Sequence, residues 1–197
     1  MKAALILTLS RIFICPLFLV VYLFYANMGI SLSAMPYVLL ALLLVCELSD
    51  IFDGVVARQA KQVTELGKIL DPMADSIVRL SLFICFTQGL IQLPLLIVLI
   101  FVVRDAVIST LRTLCALRGT ALAARASGKL KAVLQAVAIF IILLLMIPYT
   151  MGYITLATLQ AVSLWVVLVT AIYTVISGVE YIWVYRNYIR QSWAKIT

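Results

Sequence analysis

The chain has 197 residues, of which 65% are hydrophobic, and its mean hydropathy is +1.20. A soluble domain is only about half apolar, so this composition excludes an ordinary soluble protein and indicates an integral membrane protein. The net charge is +7, but the lysines and arginines lie in short segments beside apolar runs, where anionic lipid headgroups explain them without nucleic acid. Histidine is absent, which excludes imidazole as a general base or a metal ligand.

Six apolar segments follow one another along the chain and predict an all-α, polytopic membrane protein. Each has about 20 residues or more, which is long enough to cross a hydrocarbon core of ~30 Å as a helix. The segments leave no room for a separate soluble domain, so a single helical domain is expected over residues 1–197. The predicted spans are residues 4–26, 35–58, 66–90, 93–117, 129–150 and 153–186.

Charge is distributed unequally between the two ends of these spans. The connections at residues 26–34, 89–92 and 148–152 carry no charged residue. Basic residues lie at the opposite ends of the spans: Lys2, Arg58, Lys61, Lys68, Arg118, Arg125, Lys129, Lys131, Arg186, Arg190 and Lys195. By the positive-inside rule, both termini and this basic side of the protein face the cytoplasm.

Residues 50–75 form a polar motif at the cytoplasmic ends of the second and third spans, with the pattern D-x2-D-G-x2-A-R-x8-G-x3-D-x3-D. Residues three or four apart share one face of a helix, so each half of the motif forms a single stripe. A loop of about eight residues joins the two helices antiparallel, and the four aspartates are expected to converge. The motif positions are Asp50, Asp53, Gly54, Ala57, Arg58, Gly67, Asp71 and Asp75.

The chemistry of the motif points to divalent metal and phosphate. Four carboxylates close together near a membrane need cations to stay ionised, and oxygen ligands without His or Cys suit Mg²⁺, Mn²⁺ or Ca²⁺. Two ions about 4 Å apart would be the usual arrangement for phosphoryl transfer. The small residues let a nucleotide approach closely, and the guanidinium of Arg58 suits phosphate oxygens.

Acids near a membrane also occur in proteins that carry out no phosphoryl transfer. Any one of these four alone could be a surface carboxylate, a structural ion pair or part of a proton relay. A small cation transporter or channel is the rival function of a different class, with the acids lining an ion pathway. Such a pathway would distribute acids across the membrane depth, whereas these gather at one end beside Arg58.

Residues 50–75 carry the complete signature of the CDP-alcohol phosphatidyltransferases, and the chain resembles that family. The resemblance implies a six-helix enzyme, commonly a homodimer, that displaces CMP from a CDP-linked lipid with the hydroxyl of a small alcohol. We expect such an enzyme in the inner membrane of a bacterium. Carried over to this sequence, the resemblance gives Asp50, Asp53 and Asp71 as ligands of Mg²⁺ or Mn²⁺, and Asp75 as both a ligand and the catalytic base. Gly54, Ala57, Arg58 and Gly67 would line the CDP site.

Four stretches at residues 7–16, 70–75, 104–112 and 127–131 resemble the family members that transfer the phosphatidyl group of CDP-diacylglycerol to glycerol 3-phosphate. Two positions depart from that subgroup, because Ser76 stands where lysine is frequent and Ala132 where threonine is frequent. Inositol phosphate, serine and phosphatidylglycerol therefore remain alternative acceptors.

Basic residues of the fourth and fifth spans are candidates for binding the acceptor phosphate. Arg104 lies about 16 Å into its span, where an arginine costs several kcal/mol unless it faces protein or water. With Arg112, Lys129 and Lys131 it could bind the phosphate of glycerol 3-phosphate. In the alternative interpretation, Arg104 pairs with Asp105 or another acid, and the lysines anchor the protein at the membrane interface.

Overall fold

The computed structural model describes residues 14–59, 65–117 and 125–193, and no side chain is described for residues 50–72, 114, 116–117 and 187–193. The described part of the chain contains helices and turns and no strand. The helices are α1 (Ile14–Phe24), α2 (Met35–Gln59), α3 (Glu65–Cys85), α4 (Leu95–Leu117), α5 (Ala126–Thr150) and α6 (Leu156–Trp193). The predicted all-α class is therefore confirmed, and residues 4–13 of the first predicted span lie outside the described residues.

Two of the described helical segments are long and apolar enough to cross a membrane, Ala126–Thr150 and Leu156–Arg186. In α6 the exposed apolar side chains recur every three or four residues and form one stripe about 27 Å long at the 1.5 Å rise of a helix. The stripe consists of Trp165, Val169, Ile172, Ile176, Val179 and Trp183. A stripe of this length and character suits contact with lipid, and the count of six spans stays a prediction.

Helix α5 is central to the packing, because it contacts α6, α2 and α3, while α4 contacts α6 and α3. Its buried residues recur at helical spacing and give it one continuous inward face. Toward the end of the helix this face is entirely apolar, with Ile139, Ile142, Leu143 and Met146 fully buried. At the start of the helix the same face carries two polar side chains, Lys131 and Gln135.

Some helix boundaries differ from the sequence prediction. Helix α3 ends at Cys85 and not at residue 90, and α6 covers Leu156–Trp193 and not 153–186. In α5 only the start differs. The helix begins at Ala126, before the predicted start at residue 129, and so includes more of the basic stretch 118–131 than expected. It ends at Thr150, which is the predicted end of the fifth span, and it includes Pro148. Proline removes only its own N–H bond, and the Pro148 carbonyl still accepts a hydrogen bond from the Tyr153 N–H at 2.9 Å.

The turn between α3 and α4 is fixed by Tyr22 of α1. The Tyr22 hydroxyl donates to the Gln88 carbonyl at 3.0 Å and accepts from the N–H groups of Leu90 and Ile91, each at 3.1 Å. Gly89 has φ +65°, and a Cβ there would lie 3.0 Å from the Tyr22 ring. This short turn sets the register of α3 against α4, and with it the relative depth of Asp75 and Asp105.

Candidate active site

The backbone places the motif on two helices, as predicted. Its first half lies in the last turns of α2 and its second half in the first turns of α3, with residues 60–64 outside the described part of the chain. The first half comprises Asp50, Asp53, Gly54, Ala57 and Arg58, and the second comprises Gly67, Asp71 and Asp75. Of these side chains only that of Asp75 is described, and it is half-buried. The convergence of the four aspartates therefore stays a prediction.

A metal site of the predicted kind fits the chemistry of this donor set. Asp50 and Asp53 are three residues apart within α2, and Asp71 and Asp75 are four apart within α3, so each pair shares a helix face. In the part of the chain with described side chains, no group of three or more Cys, Asp or Glu residues could hold a metal ion, since it includes only one of the four aspartates. Carboxylate oxygens alone suit a hard divalent cation.

Asp105 of α4 lies at nearly the same depth as Asp75. Asp75 precedes the end of α3 at Cys85 by ten residues, and Asp105 follows the start of α4 at Leu95 by ten. At 1.5 Å per residue, each lies about 15 Å along its helix from the connecting turn. The two acids therefore lie at similar distances along two helices that contact each other.

The Arg104 guanidinium donates hydrogen bonds to two neighbouring side chains. Its Nη1 donates to Asp105 Oδ1 at 3.1 Å, and its Nη2 donates to Ser177 Oγ of α6 at 3.2 Å. The side chain is only 13% exposed, so these contacts hold the guanidinium inside the bundle. The pairing of Arg104 with Asp105 is the arrangement of the alternative interpretation, and it leaves the Arg104 Nε buried without a hydrogen-bond partner among the described residues.

Lys131 of α5 pairs with the same carboxylate, that of Asp105. Its Nζ lies 2.6 Å from Asp105 Oδ1 and 2.8 Å from Oδ2, and its side chain is 4% exposed. The alternative interpretation of Lys131 as an interfacial anchor is therefore wrong, because the ammonium group is inside the protein. Lys129, two residues earlier, is exposed.

Arg79 of α3 adds a third positive charge. The charges of Arg79 and Arg104 are both close enough to act on the Lys131 ammonium. The Arg79 Nε is buried and has no hydrogen-bond partner within the described part of the chain. We call Arg79, Arg104 and Lys131, with Asp105, the basic cluster. Lys131 is buried and the two arginines are half-buried, and such a group of cations suits a phosphate, which presents several anionic oxygens at once.

Two of the predicted phosphate-binding residues lie outside this cluster. Arg112 donates from its Nε to the Tyr181 hydroxyl at 3.4 Å, and its guanidinium lies 5.5 Å from the centroid of that ring. It is eight residues beyond Arg104 on α4, about 12 Å along the helix. The structure therefore brings Arg104 and Lys131 together, but it places Arg112 and the exposed Lys129 elsewhere.

Helix α6 contacts Arg104 through two small residues, a contact that the sequence analysis did not predict. A Cβ on Gly178 would lie 3.1 Å from Arg104 Cγ, and the neighbouring Ser177 accepts the hydrogen bond from Nη2. The adjacent small residues Ser177 and Gly178 were the available signal, because small residues allow close helix approach. One turn away, Glu180 pairs with Arg125 at 2.8 Å.

Comparisons with known proteins agree with the signature. The sequence model of the CDP-alcohol phosphatidyltransferase family matches residues 1–173. The chain is 30% identical over 181 residues to a CDP-diacylglycerol–glycerol-3-phosphate 3-phosphatidyltransferase of Bacillus subtilis, covering 89% of this chain and 90% of the relative. It is 33% identical over 177 residues to a probable phosphatidylglycerophosphate synthase of Mycobacterium tuberculosis, covering 90% of this chain and 78% of the relative.

A third relative, a CDP-diacylglycerol–glycerol-3-phosphate 3-phosphatidyltransferase of Wigglesworthia glossinidia brevipalpis, is 38% identical over 144 residues, which cover 70% of this chain and 74% of the relative. The family match thus includes both halves of the aspartate motif and most of the helical bundle. The chain belongs to the CDP-alcohol phosphatidyltransferase family.

Proposed function

We propose that the protein transfers the phosphatidyl group of CDP-diacylglycerol to glycerol 3-phosphate, giving phosphatidylglycerol phosphate and CMP. The relatives named above carry this activity in their names. The structural observation that carries the choice of acceptor is the pairing of Arg104 and Lys131 with one carboxylate, that of Asp105, which is 10% exposed. Asp105, which pairs with both cations, lies as far along α4 as Asp75 lies along α3 from the connecting turn, and a phosphate-bearing alcohol would have to be bound near Asp75.

The aspartate motif would hold the CDP end of the lipid. Asp50, Asp53, Asp71 and Asp75 would bind two divalent ions, Mg²⁺ or Mn²⁺, which supply neutralisation of the diphosphate charge. Gly54, Ala57 and Gly67 would leave space for the nucleotide beside the helix backbones. Arg58 would donate to phosphate oxygens from the edge of the stripe.

Asp75 is proposed as the general base. It would accept the proton from the acceptor hydroxyl while that oxygen bonds to the lipid-linked phosphorus. The bond from this phosphorus to the oxygen of CMP breaks, and CMP leaves with the electron pair. Direct transfer of this kind needs no covalent enzyme intermediate.

The basic cluster is proposed to bind the acceptor phosphate. Arg104 and Lys131 would donate to phosphate oxygens while Asp105 keeps both cations in position. Arg112 and Lys129 lie outside the cluster and would instead attract the anionic acceptor toward it. Inositol phosphate shares the phosphate and could use the same cations, whereas serine has none, so the cluster favours a phosphorylated alcohol.

For the whole protein we propose a single domain of six membrane crossings in a bacterial inner membrane, with both termini and the active site facing the cytoplasm. The lipid substrate would reach the site sideways from the bilayer, and two copies of the chain would form a homodimer. Cysteine labelling at engineered sites in the connections 26–34 and 148–152 tests the topology. Labelling of either connection from the cytoplasmic side would contradict it.

The proposed reaction is tested by supplying purified protein with CDP-diacylglycerol, Mg²⁺ or Mn²⁺, and one acceptor at a time. Glycerol 3-phosphate, inositol phosphate, serine and phosphatidylglycerol are compared by the rate of CMP formation. Of the four acceptors, we expect only glycerol 3-phosphate to give rapid CMP release. Faster release with another acceptor would reassign the substrate, and ion flux in vesicles without CMP release would contradict the enzyme assignment.

A further inference from the structure

Gln135 is a buried amide in an unusual position. It lies on α5 four residues after Lys131, on the same inward face, and its exposure is 0%. Within the part of the chain that the structure describes, neither its Nε2 nor its Oε1 has a hydrogen-bond partner. The next inward residues of α5 are Ala138 and Ile139, both buried and apolar.

A buried amide without hydrogen-bond partners lowers the stability of the folded protein. Each buried polar group without a partner costs about 1–3 kcal/mol, whereas an apolar side chain of similar size has no such cost. The inward face of α5 from Ala138 to Met146 is entirely apolar, so apolar residues fit in this part of the bundle. Unfavourable buried polar residues of this kind are expected at positions where the residue binds a ligand.

The position of Gln135 indicates which ligand group it would meet. Four residues, about 6 Å of helix, separate it along α5 from Lys131, whose ammonium belongs to the basic cluster. A ligand whose phosphate binds that cluster and that extends along the inward face of α5 would bring its next polar group toward the Gln135 amide. An amide offers both a donor and an acceptor, which matches a hydroxyl, since a hydroxyl also donates and accepts.

We propose that Gln135 binds the non-reacting hydroxyl of the acceptor and so selects a phosphorylated polyol. This inference rests on the proposed function, in which the phosphate of glycerol 3-phosphate binds the basic cluster and one terminal hydroxyl reaches Asp75. The remaining secondary hydroxyl is the group that Gln135 recognises. Sites built to hydrogen-bond a hydroxyl discriminate strongly against analogues that lack it, because their own buried polar groups are then left unpaired.

The test compares glycerol 3-phosphate with 3-hydroxypropyl phosphate, which has the phosphate and the reacting hydroxyl but no secondary hydroxyl. We expect the wild-type protein to prefer glycerol 3-phosphate by at least about 100-fold in kcat/KM. In Gln135→Leu and Gln135→Met the preference should fall below about tenfold, with the KM for CDP-diacylglycerol unchanged. Two apolar variants are used so that a folding defect in one does not decide the result.

Ser163 provides a matched control on α6. It is also 0% exposed, and its Oγ has no hydrogen-bond partner among the described residues. It lies fourteen residues before Ser177, about 21 Å along the helix from the contact with Arg104. Ser163→Ala should keep the full acceptor preference. Thermal unfolding in detergent adds a second readout, in which Gln135→Leu should be at least as stable as the wild type.

The outcomes separate this inference from the proposed function. Equal rates with both acceptors in the wild type, or an unchanged preference in the Gln135 variants, would overturn the role of Gln135 and leave the reaction standing. A wild-type protein that uses neither acceptor would overturn the proposed function itself. A lower melting temperature together with an unchanged preference would make Gln135 a structural residue.

Discussion

Lys131 and Asp105 lie on different helices, yet the Lys131 Nζ is 2.6 and 2.8 Å from the two carboxylate oxygens of Asp105. The same carboxylate accepts a hydrogen bond from Arg104 at 3.1 Å. A single acid therefore holds two cations from α4 and α5, and α6 holds one of them from the other side through Ser177. The acceptor site is proposed to be preformed by these contacts.

Removing this carboxylate should destabilise the protein. In Asp105→Asn the buried Arg104 and Lys131 lose their shared counter-ion, and breaking a buried ion pair typically costs about 3–5 kcal/mol. We expect a lower melting temperature in detergent, and a partial recovery when glycerol 3-phosphate is added, because its phosphate supplies the missing negative charge. Glu180→Gln removes a more exposed acid and should have little effect. An unchanged melting temperature in Asp105→Asn would contradict the role of Asp105.

Arg104 should not be replaceable by lysine. Its guanidinium bonds to Asp105 and Ser177 through two different nitrogens, and a lysine ammonium cannot reproduce this fork. We expect Arg104→Lys to raise the KM for glycerol 3-phosphate by about tenfold or more, equivalent to at least ~1.4 kcal/mol. The KM for CDP-diacylglycerol should not change.

The control for that substitution is Arg125→Lys. Arg125 makes its ion pair with Glu180 at 2.8 Å, and both side chains are about one-third exposed. Such a pair contributes little, so this variant should behave like the wild type. Equal acceptor KM values for the Arg104 and Arg125 variants would show that Arg104 does not bind the acceptor.

Gly178 should act on acceptor binding through Arg104. In Gly178→Ala the new Cβ would lie 3.1 Å from Arg104 Cγ, so the arginine stem must shift away from α6 and weaken its bond to Ser177. We expect a higher KM for glycerol 3-phosphate and a similar kcat. Val179→Ala, a change at the adjacent and exposed position, should leave both constants unchanged. A Gly178→Ala enzyme with the wild-type KM for glycerol 3-phosphate would contradict this prediction, because it would mean that Arg104 shifts without weakening acceptor binding.

Asp75→Asn should abolish transfer and largely retain nucleotide binding. The asparagine amide cannot take a proton from the acceptor hydroxyl, whereas the other three aspartates of the motif are unchanged. CMP release measures the reaction, and binding of a CDP-containing ligand measures the site. Wild-type turnover in this variant would remove Asp75 as the base.

The sequence was informative about the helices and the reaction class, and less so about the acceptor site. Long apolar runs between charged ends predicted α2, α4 and α5 to within three residues at each end, since burial and membrane length constrain such runs strongly. Helix α3 ends at Cys85, five residues before its predicted end. The motif predicted the family because its chemistry requires particular residues at helical spacing. Both inferences depend on patterns local to one or two helices.

The acceptor site depends on contacts between distant parts of the chain. Arg104 was recognised because an arginine deep in a span needs a partner, but whether that partner is Asp105, Ser177 or a ligand depends on how α4 meets α6. An interfacial position for Lys131 was open as long as the inward face of α5 was unknown. The packing of α5 against α2, α3 and α6 places Lys131 on the inward face, and Gln135 follows it one turn later.

The central claim is that the aspartate motif and the basic cluster act on one reaction. Its most direct test is the rate of CMP release by purified protein given CDP-diacylglycerol, glycerol 3-phosphate and Mg²⁺ or Mn²⁺, with each of the three components omitted in turn. We predict release only when all three are present, with formation of one phosphatidylglycerol phosphate for each CMP. CMP release that continues without glycerol 3-phosphate, or that survives chelation of the divalent ion, would contradict the account.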